Sequence, residues 1–456
     1  MMRKSVILLR KLKWSVEDAI AVSEADEPYA FDTGTDKVLQ LLKTVMPALM
    51  EEKEVPESIR ELINNCVRML IDASKLLIGA KERKDTDQQV ICLREIILPI
   101  VGNLRTGLSD TQAVEKRISI VIPCYNAEND IDNMLECIES QTIGFEYLEV
   151  ICVNDASPDH TLDHLLRWEK EYPDEFIIVD LAENGRQGRA RNIGVQNAHS
   201  PYVLFLDADD EIYPYTCLKM WDIAEKTGVE VVAADFVLRR GDELVASQSY
   251  DGEINTAIYI TGREDRRKLL RVGLRMNTVN KLYKRDIFEK YDLKYPEGIT
   301  YEDNYFGTLL QCCIDSYCVI DDVCYIWDLH VDSTSHKRND LRHFDRLVVS
   351  DMLMDELDRR GIYKDYADEL DRIYLDLYFL NTIHVIFTRF DKVPYEQMDQ
   401  MIRGFCTRYP NFRDSSIYSN LKFEYQRELI DLAFAGLTHH EWDDLRIRYL
   451  QMIGMG

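Results

Sequence analysis

The chain has 456 residues, and 55 Lys and Arg against 81 Asp and Glu leave a formal net charge of −26. That length exceeds one ordinary hydrophobic core, and a 46% apolar, 10% aromatic composition suits packed domains rather than disorder. So acidic a surface repels nucleic acid and anionic lipid, because affinity for a phosphate backbone rests on Lys and Arg. A basic pocket for one small phosphorylated ligand remains compatible with it.

Eleven cysteines follow no regular spacing and read as reduced thiols of a cytosolic protein. Adjacent Cys312 and Cys313 point apart, so packing explains the cluster with Cys318 and Cys324 better than zinc does. The apolar run Val6–Leu9 is too short for a signal-peptide core. No charge-free apolar stretch approaches the about 18 residues of a membrane-crossing helix, which disfavours an enzyme that threads its polymer through its own channel. The basic stretch from Arg3 to Lys13 leaves a peripheral contact with the inner face of a membrane as a minor expectation beside a cytoplasmic location.

In chain order, residues 1–114 read as a helical domain. Val38, Leu41, Leu42, Val45, Met46 and Leu49 fall at helical spacing, as do Ile59, Leu62, Ile63, Cys66, Val67, Leu70 and Ile71 after Pro56. A third helix through Val90, Ile91, Leu93 and Ile97 is expected to stop near Pro99, and residues 102–110 read as a linker. This region is either a plain bundle packed against the rest or a module for docking a partner or forming a homo-oligomer.

From residue 115 to 340 the pattern changes to short β-branched runs alternating with helices. Strands are expected at Ile118–Ile122 (ended by Pro123), Leu148–Val153, Phe176–Val179, Tyr202–Leu206 and Val229–Phe236, with helices between them. That alternation predicts an α/β fold, a mostly parallel, Rossmann-like sheet flanked by helices, with ligands at the carboxyl ends of the strands. Residues 341–456 return to amphipathic helical patterns.

Four polar clusters flank those strand ends: Pro123–Glu128, Asn154–Asp159, Asn184–Asn192 and Asp207–Asp210. In the last, Asp207 and Asp209 alternate after an apolar strand and can turn oxygens toward one point, a donor set suited to Mg²⁺ or Mn²⁺. The plainer alternative is a loop in which Asp210 caps the next helix. In the Arg-rich cluster, glycines permit close backbone approach and the helix start favours anions, making Arg191 a candidate contact to phosphate or base. Arg186 and Arg189 are ordinary surface arginines on the same reading. Asp155 could accept a hydrogen bond from a pyrimidine imide, or else form a local turn onto Ser157.

Together these clusters strongly resemble family-2 glycosyltransferases of GT-A fold. The resemblance rests on Ile120–Asn126, Val153–Asp159, Asn184–Asn192 with Gly194, and Asp207-Ala208-Asp209, followed by Asn280-Lys281-Leu282-Tyr283, Tyr301–Phe306, and His330 with Ser333 and Ser335. One departure is Asn154-Asp155-Ala156-Ser157, where Asp-Asp-Gly-Ser is commoner. The resemblance implies sugar transfer from a nucleotide-diphosphate donor, most often UDP-linked, with inversion. It implies that Asp155 reads uracil, with Pro123, Tyr125 and Glu128 lining the nucleotide site. Asp207 would lie near ribose and metal, Asp209 on the metal, and His330 near the metal or diphosphate.

A single displacement needs a base for the acceptor hydroxyl. Asp303 is the choice by its match to the family's Glu-Asp motif, with Glu302 tuning it or touching the acceptor; as an alternative, the pair simply starts a helix. The acceptor is expected to be a saccharide, a lipid-linked sugar or a protein. A nucleotidyltransferase is discounted because Pro123-Cys124-Tyr125-Asn126 stands where a Gly-rich basic loop belongs. A catalytically silent binding or scaffold protein is the other alternative.

Overall fold

The structure is a computed structural model and describes residues 2–24, 28–51, 57–108, 115–241, 243–247, 250–329, 337–436 and 438–455. Compact units divide it at residue 115: residues 1–115 with 167–174 form one, and residues 116–166 with 175–456 the other.

The first unit is helical. Helices Met2–Glu24, Pro28–Glu51 and Glu57–Glu82 bury Leu12, Val16, Val38, Leu42, Val45, Leu70 and Leu77 in a core of their own. Pro56, expected to open the helix through Ile59–Ile71, lies outside the described residues. Two expectations are corrected here. The chain does not stop at Pro99 but runs from Thr86–Ile91 through a π-helical segment, Cys92–Ile97, into a further helix, Leu98–Leu108. Pro99 is accommodated because it sits at the second position of that helix, after a turn already re-registered by the π segment. Residues 102–108 are therefore helix, not linker. Ile100, Val101 and Leu104 are buried with Ile97, and that burial outweighs the weak helix preference of Gly102. Residues 109–114 lie outside the described residues.

The second unit is built on a ten-stranded mixed sheet flanked by helices. Its strands are β1 (Ile118–Cys124), β2 (Leu148–Asn154), β3 (Phe176–Asp180), β4 (Tyr202–Phe205), β5 (Glu211–Ile212), β6 (Val231–Arg240), β7 (Glu243–Ala246), β8 (Thr256–Tyr259), β9 (Lys281–Lys284) and β10 (Ser316–Asp328). The main order is β3-β2-β1-β4-β9-β6-β10-β5, with β7 on β6 and β8 on β10. Strands β3, β2, β1 and β4 are parallel, as the alternation of strands and helices implies. Then β9 inserts antiparallel to both β4 and β6, while β10 runs parallel to β6. Two reversals restore the direction, so β6 and β10 end at the same edge as β1, β2 and β4. Being reversed, β9 begins there, at Lys281.

Strand β1 runs through Pro123, which pairs in register with Val153. Val121 O accepts from Leu206 N and Cys124 O from Asp155 N, so odd-numbered residues of β1 face β4. The β4 ladder ends at Val121–Phe205, and Pro123 lies past it, where no donor is needed. Beyond the sheet the described residues are mostly helical, from Asp345–Arg359 to His439–Met452.

Candidate active site

Local packing fixes the sheet edge first. The loops after β1 and β2 are joined by Asn126 N donating to Ser157 Oγ (3.2 Å), Ala127 N to Thr161 Oγ1 (2.8 Å) and Glu128 N to Asp159 Oδ2 (3.1 Å). Glu128 answers with Oε2, which accepts from His160 N at 2.9 Å. Tyr125 stays exposed at the rim. Asp155 is buried, and its Oδ1 accepts from Gly185 N (2.8 Å) at the start of helix Arg186–Gln196. The turn onto Ser157 is thus made by Asn154 Oδ1 instead, at 3.4 Å. The second Asp155 oxygen has no protein partner among the described residues.

The glycines of helix Arg186–Gln196 serve packing where approach to a ligand was expected. A Cβ on Gly188 would stand 2.2 Å from Pro296 O, and one on Gly194 2.2 Å from Val121 Cγ1. The helix is pressed onto β1 on one side and the 295–296 segment on the other. Asn192 locks that contact, donating to Tyr295 O (2.9 Å) and accepting from Tyr295 N (2.9 Å).

This seating carries Arg191 into the interior at 3% exposure, over the Tyr295 ring at 5.6 Å. Its Nη2 donates to Asp207 Oδ1 (2.8 Å) and its Nη1 to Glu302 Oε1 (2.5 Å). The guanidinium bridges two carboxylates, a role beside the phosphate or base contact that the sequence suggests for it. A planar fork of donors suits that double role. Of the neighbouring arginines, Arg189 is the ordinary surface residue expected, whereas Arg186 donates to Asp345 Oδ2 at 2.9 Å.

Around Asp207–Asp210 the carboxylates diverge. Asp207 is part-exposed, and its N donates to Tyr325 Oη at 3.4 Å. Asp209 is exposed. Asp210 turns inward, where Oδ1 accepts from Asp328 N (2.9 Å) and Oδ2 from the Tyr325 hydroxyl. It ties the loop to β10 and does not cap the helix that follows. Burial, then the charges of Asp207 and Asp209, push its carboxyl well above the usual range.

Helix Glu302–Cys313 presents the last pair. Phe306, one turn beyond Glu302, stacks on Tyr295 with centroids 4.0 Å apart, and Tyr295 meets Phe205 of β4 at 5.7 Å. One aromatic cluster therefore seats both the Asp207 strand and the Glu302 helix. Burial, then the adjacent Glu302 carboxylate, push Asp303 up to about 6, against the pull of Arg191. Lys281 at the start of β9 is 2% exposed, and its Nζ donates to Asn277 O (2.6 Å), Asn277 Oδ1 (3.2 Å) and Asn280 Oδ1 (3.2 Å). Burial and Arg275 bring its ammonium down to about 7, opposed by Asp303.

One connected edge thus holds Asp155, Arg191, Asp207, Glu302 and Asp303, with Pro123 at the end of β1 and Tyr125, Glu128 and Asp209 on the loops that form it. His330, Ser333 and Ser335 lie outside the described residues. Among the described residues no three His, Cys, Asp or Glu side chains cluster as a closed metal site. Asp207 and Asp209 offer only oxygen donors, the chemistry that Mg²⁺ or Mn²⁺ takes when diphosphate and water complete its shell. Sequence reading missed Tyr325, the inward Asp210 and the burial of Lys281; an aromatic in an apolar strand or a lysine after Asn carries no local mark of such contacts.

An α/β sheet with these motifs at its carboxyl edge defines a glycosyltransferase of GT-A fold. Residues 119–292 match the family described as Glycosyl transferase family 2, and the chain carries a family-2 glycosyltransferase domain. The uncharacterized glycosyltransferase YibD of Escherichia coli is 28% identical over 268 residues, which cover 56% of this chain and 73% of that protein. The poly(ribitol-phosphate) beta-glucosyltransferase of Bacillus spizizenii is 35% identical over 115 residues, 25% of this chain and only 18% of that protein. The crystal structure of S. aureus TarS 1-349 in complex with UDP-GlcNAc is similar at a TM-score of 0.55 and 18% identity, covering 74% of this chain and 92% of that one; the likeness is one of fold. Among the described residues no helix is long and apolar enough to cross a membrane.

Proposed function

We propose that this glycosyltransferase moves a sugar from a nucleotide-diphosphate donor, a UDP-sugar, to a hydroxyl of a saccharide, lipid-linked or protein acceptor by single displacement with inversion. The observation that carries the reading is Arg191 bridging Asp207 and Glu302, which ties the donor-side motif to the acceptor-side motif. The UDP-GlcNAc complex of TarS and the glucosyltransferase name of the B. spizizenii relative support a UDP-sugar donor.

In this reading Pro123, Tyr125 and Glu128 line the nucleotide pocket, and the unpartnered oxygen of Asp155 accepts from the uracil imide. Asp303 takes the acceptor proton as the acceptor oxygen bonds to the anomeric carbon and the bond to UDP breaks with its electron pair. A carboxylate raised toward neutrality is a better base than one near 4. Arg191 acts through the carboxylates it orients. Asp209 and Asp207, with His330, would hold a divalent ion, Mn²⁺ or Mg²⁺, whose charge favours the departing diphosphate. Residues 115–340 form the catalytic domain, with a helical N-terminal domain at 1–114 and a C-terminal helical region at 341–456 that shares the core of the sheet.

The test is release of UDP from a panel of nucleotide sugars with Mn²⁺, since water can replace the acceptor. Release from at least one donor is expected. No release from any, with no UDP binding by calorimetry, would overturn the reading in favour of a silent scaffold.

A further inference from the structure

Helix Glu302–Cys313 starts from a strained residue. Tyr301 has φ +65° and ψ 26°, the left-handed region, which a residue with a side chain leaves unless its surroundings hold it there. Those surroundings come from residues 342–346, beyond the sheet. The Tyr301 hydroxyl bonds His343 Nδ1 at 2.6 Å, and the Arg346 guanidinium lies over the Tyr301 ring at 4.0 Å. The preceding Thr300 is gripped as well, its N and Oγ1 donating to Asp345 Oδ2 at 3.1 and 2.7 Å and its Oγ1 also to Arg342 O at 3.2 Å.

The tautomer of His343 follows from its partners. The ring is 2% exposed, and Nε2 lies 2.8 Å from Lys337 O, a carbonyl that can only accept. Nε2 therefore carries the hydrogen, and in the neutral ring Nδ1 is left to accept from the Tyr301 hydroxyl. Burial favours that neutral form. A neutral His343 thus has both nitrogens satisfied, one of them on the residue that precedes Glu302 and Asp303.

We propose that His343 and Arg346 are positioning residues that hold Tyr301 in its left-handed conformation and so set where the Asp303 carboxylate stands. The inference rests on Asp303 being the base. His343 acts through Tyr301, and Arg346 both covers the Tyr301 ring and lends its charge to the neighbouring Asp303 carboxylate. The arrangement gives the C-terminal helices a part in the reaction, because the turn that grips Tyr301 leads directly into helix Asp345–Arg359.

The test compares His343→Leu, His343→Gln and Tyr301→Phe in the full chain. Gln keeps an acceptor and a donor, whereas Leu keeps only volume. In Mn²⁺-dependent UDP-sugar hydrolysis, His343→Leu and Tyr301→Phe are expected to lower kcat by about tenfold or more with donor KM within about twofold, since a misplaced base affects the chemical step and not donor binding. His343→Gln is expected to recover to within about threefold of the unsubstituted chain. Amide exchange at residues 302–306 should quicken in His343→Leu with Tm nearly unchanged. Equal losses in Leu and Gln, unchanged kcat in Leu, or unchanged protection at 302–306 would overturn the proposal. Were the unsubstituted chain itself inactive on every UDP-sugar, the functional reading would fall and the exchange measurement alone would decide whether His343 holds Tyr301.

Discussion

Asp303 is the residue on which the chemistry turns, and its environment dictates a pH dependence. Burial and Glu302 raise its carboxyl to about 6, so the base form is lost as pH falls through that value. Turnover should rise with an apparent pKa near 6 on the acid limb of a kcat profile. Glu302→Gln removes the like charge and frees Arg191, both of which lower the Asp303 pKa, so the limb should move to lower pH. A limb that stayed in place or moved upward would contradict that assignment. Asp303→Asn should lower kcat by about 100-fold or more while calorimetry shows UDP-sugar affinity largely intact.

Another residue explains a departure from the family pattern. Ala156 stands where glycine is commoner, and it has φ +54°. A side chain in that region costs roughly 1–2 kcal/mol. Ala156→Gly should therefore stabilise the protein by about 1 kcal/mol in denaturant unfolding, part of the relief being offset by the freer unfolded chain. Lower stability in the variant would mean that the loop's contacts, not its backbone, dominate.

Among the elements, helix Arg186–Gln196 matters most, because its seating decides what Arg191 can reach. Its sequence announces a helix with basic residues and glycines, and both are present. What the pattern could not show is that Gly188 is needed against Pro296 O. Gly188→Ala forces a Cβ to 2.2 Å from a backbone oxygen, so the helix or the 295–296 segment must shift. A loss of about 1–3 kcal/mol in unfolding free energy is expected, with a fall in kcat as Arg191 leaves its carboxylates. Wild-type stability in that variant would show that the segment yields freely. Legibility varied by element for a physical reason. Strands buried on both faces, β1 and β2, show as mainly apolar runs, with Ser119 and Glu149 the polar residues near their starts. The helix Leu98–Leu108 was hidden by Gly102 and Pro99, whose local preferences yield to burial of Val101 and Leu104.

For the whole molecule, ligand binding is linked to folding. A UDP–Mn²⁺ complex that binds only the folded chain should stabilise it by roughly 2.7 kcal/mol at about 100 times Kd. Differential scanning should show Tm rising with UDP and Mn²⁺ together, and the rise should vanish with EDTA or in Asp209→Ala. An equal rise in EDTA would remove the proposed role of Asp209.

Composition, period and motif order settled much without coordinates: an acidic chain, a helical start, an α/β middle ending its strands in carboxylates, and a helical end. These properties are local, since each depends on residues within a few positions of one another. Only the tertiary structure decided that Arg191 pairs with Glu302, 111 residues away, that Asp210 serves β10 and not the cleft, and that His343 grips Tyr301. Such pairings arise when separate elements pack into one core, and no periodicity in the chain encodes which buried charge will meet which.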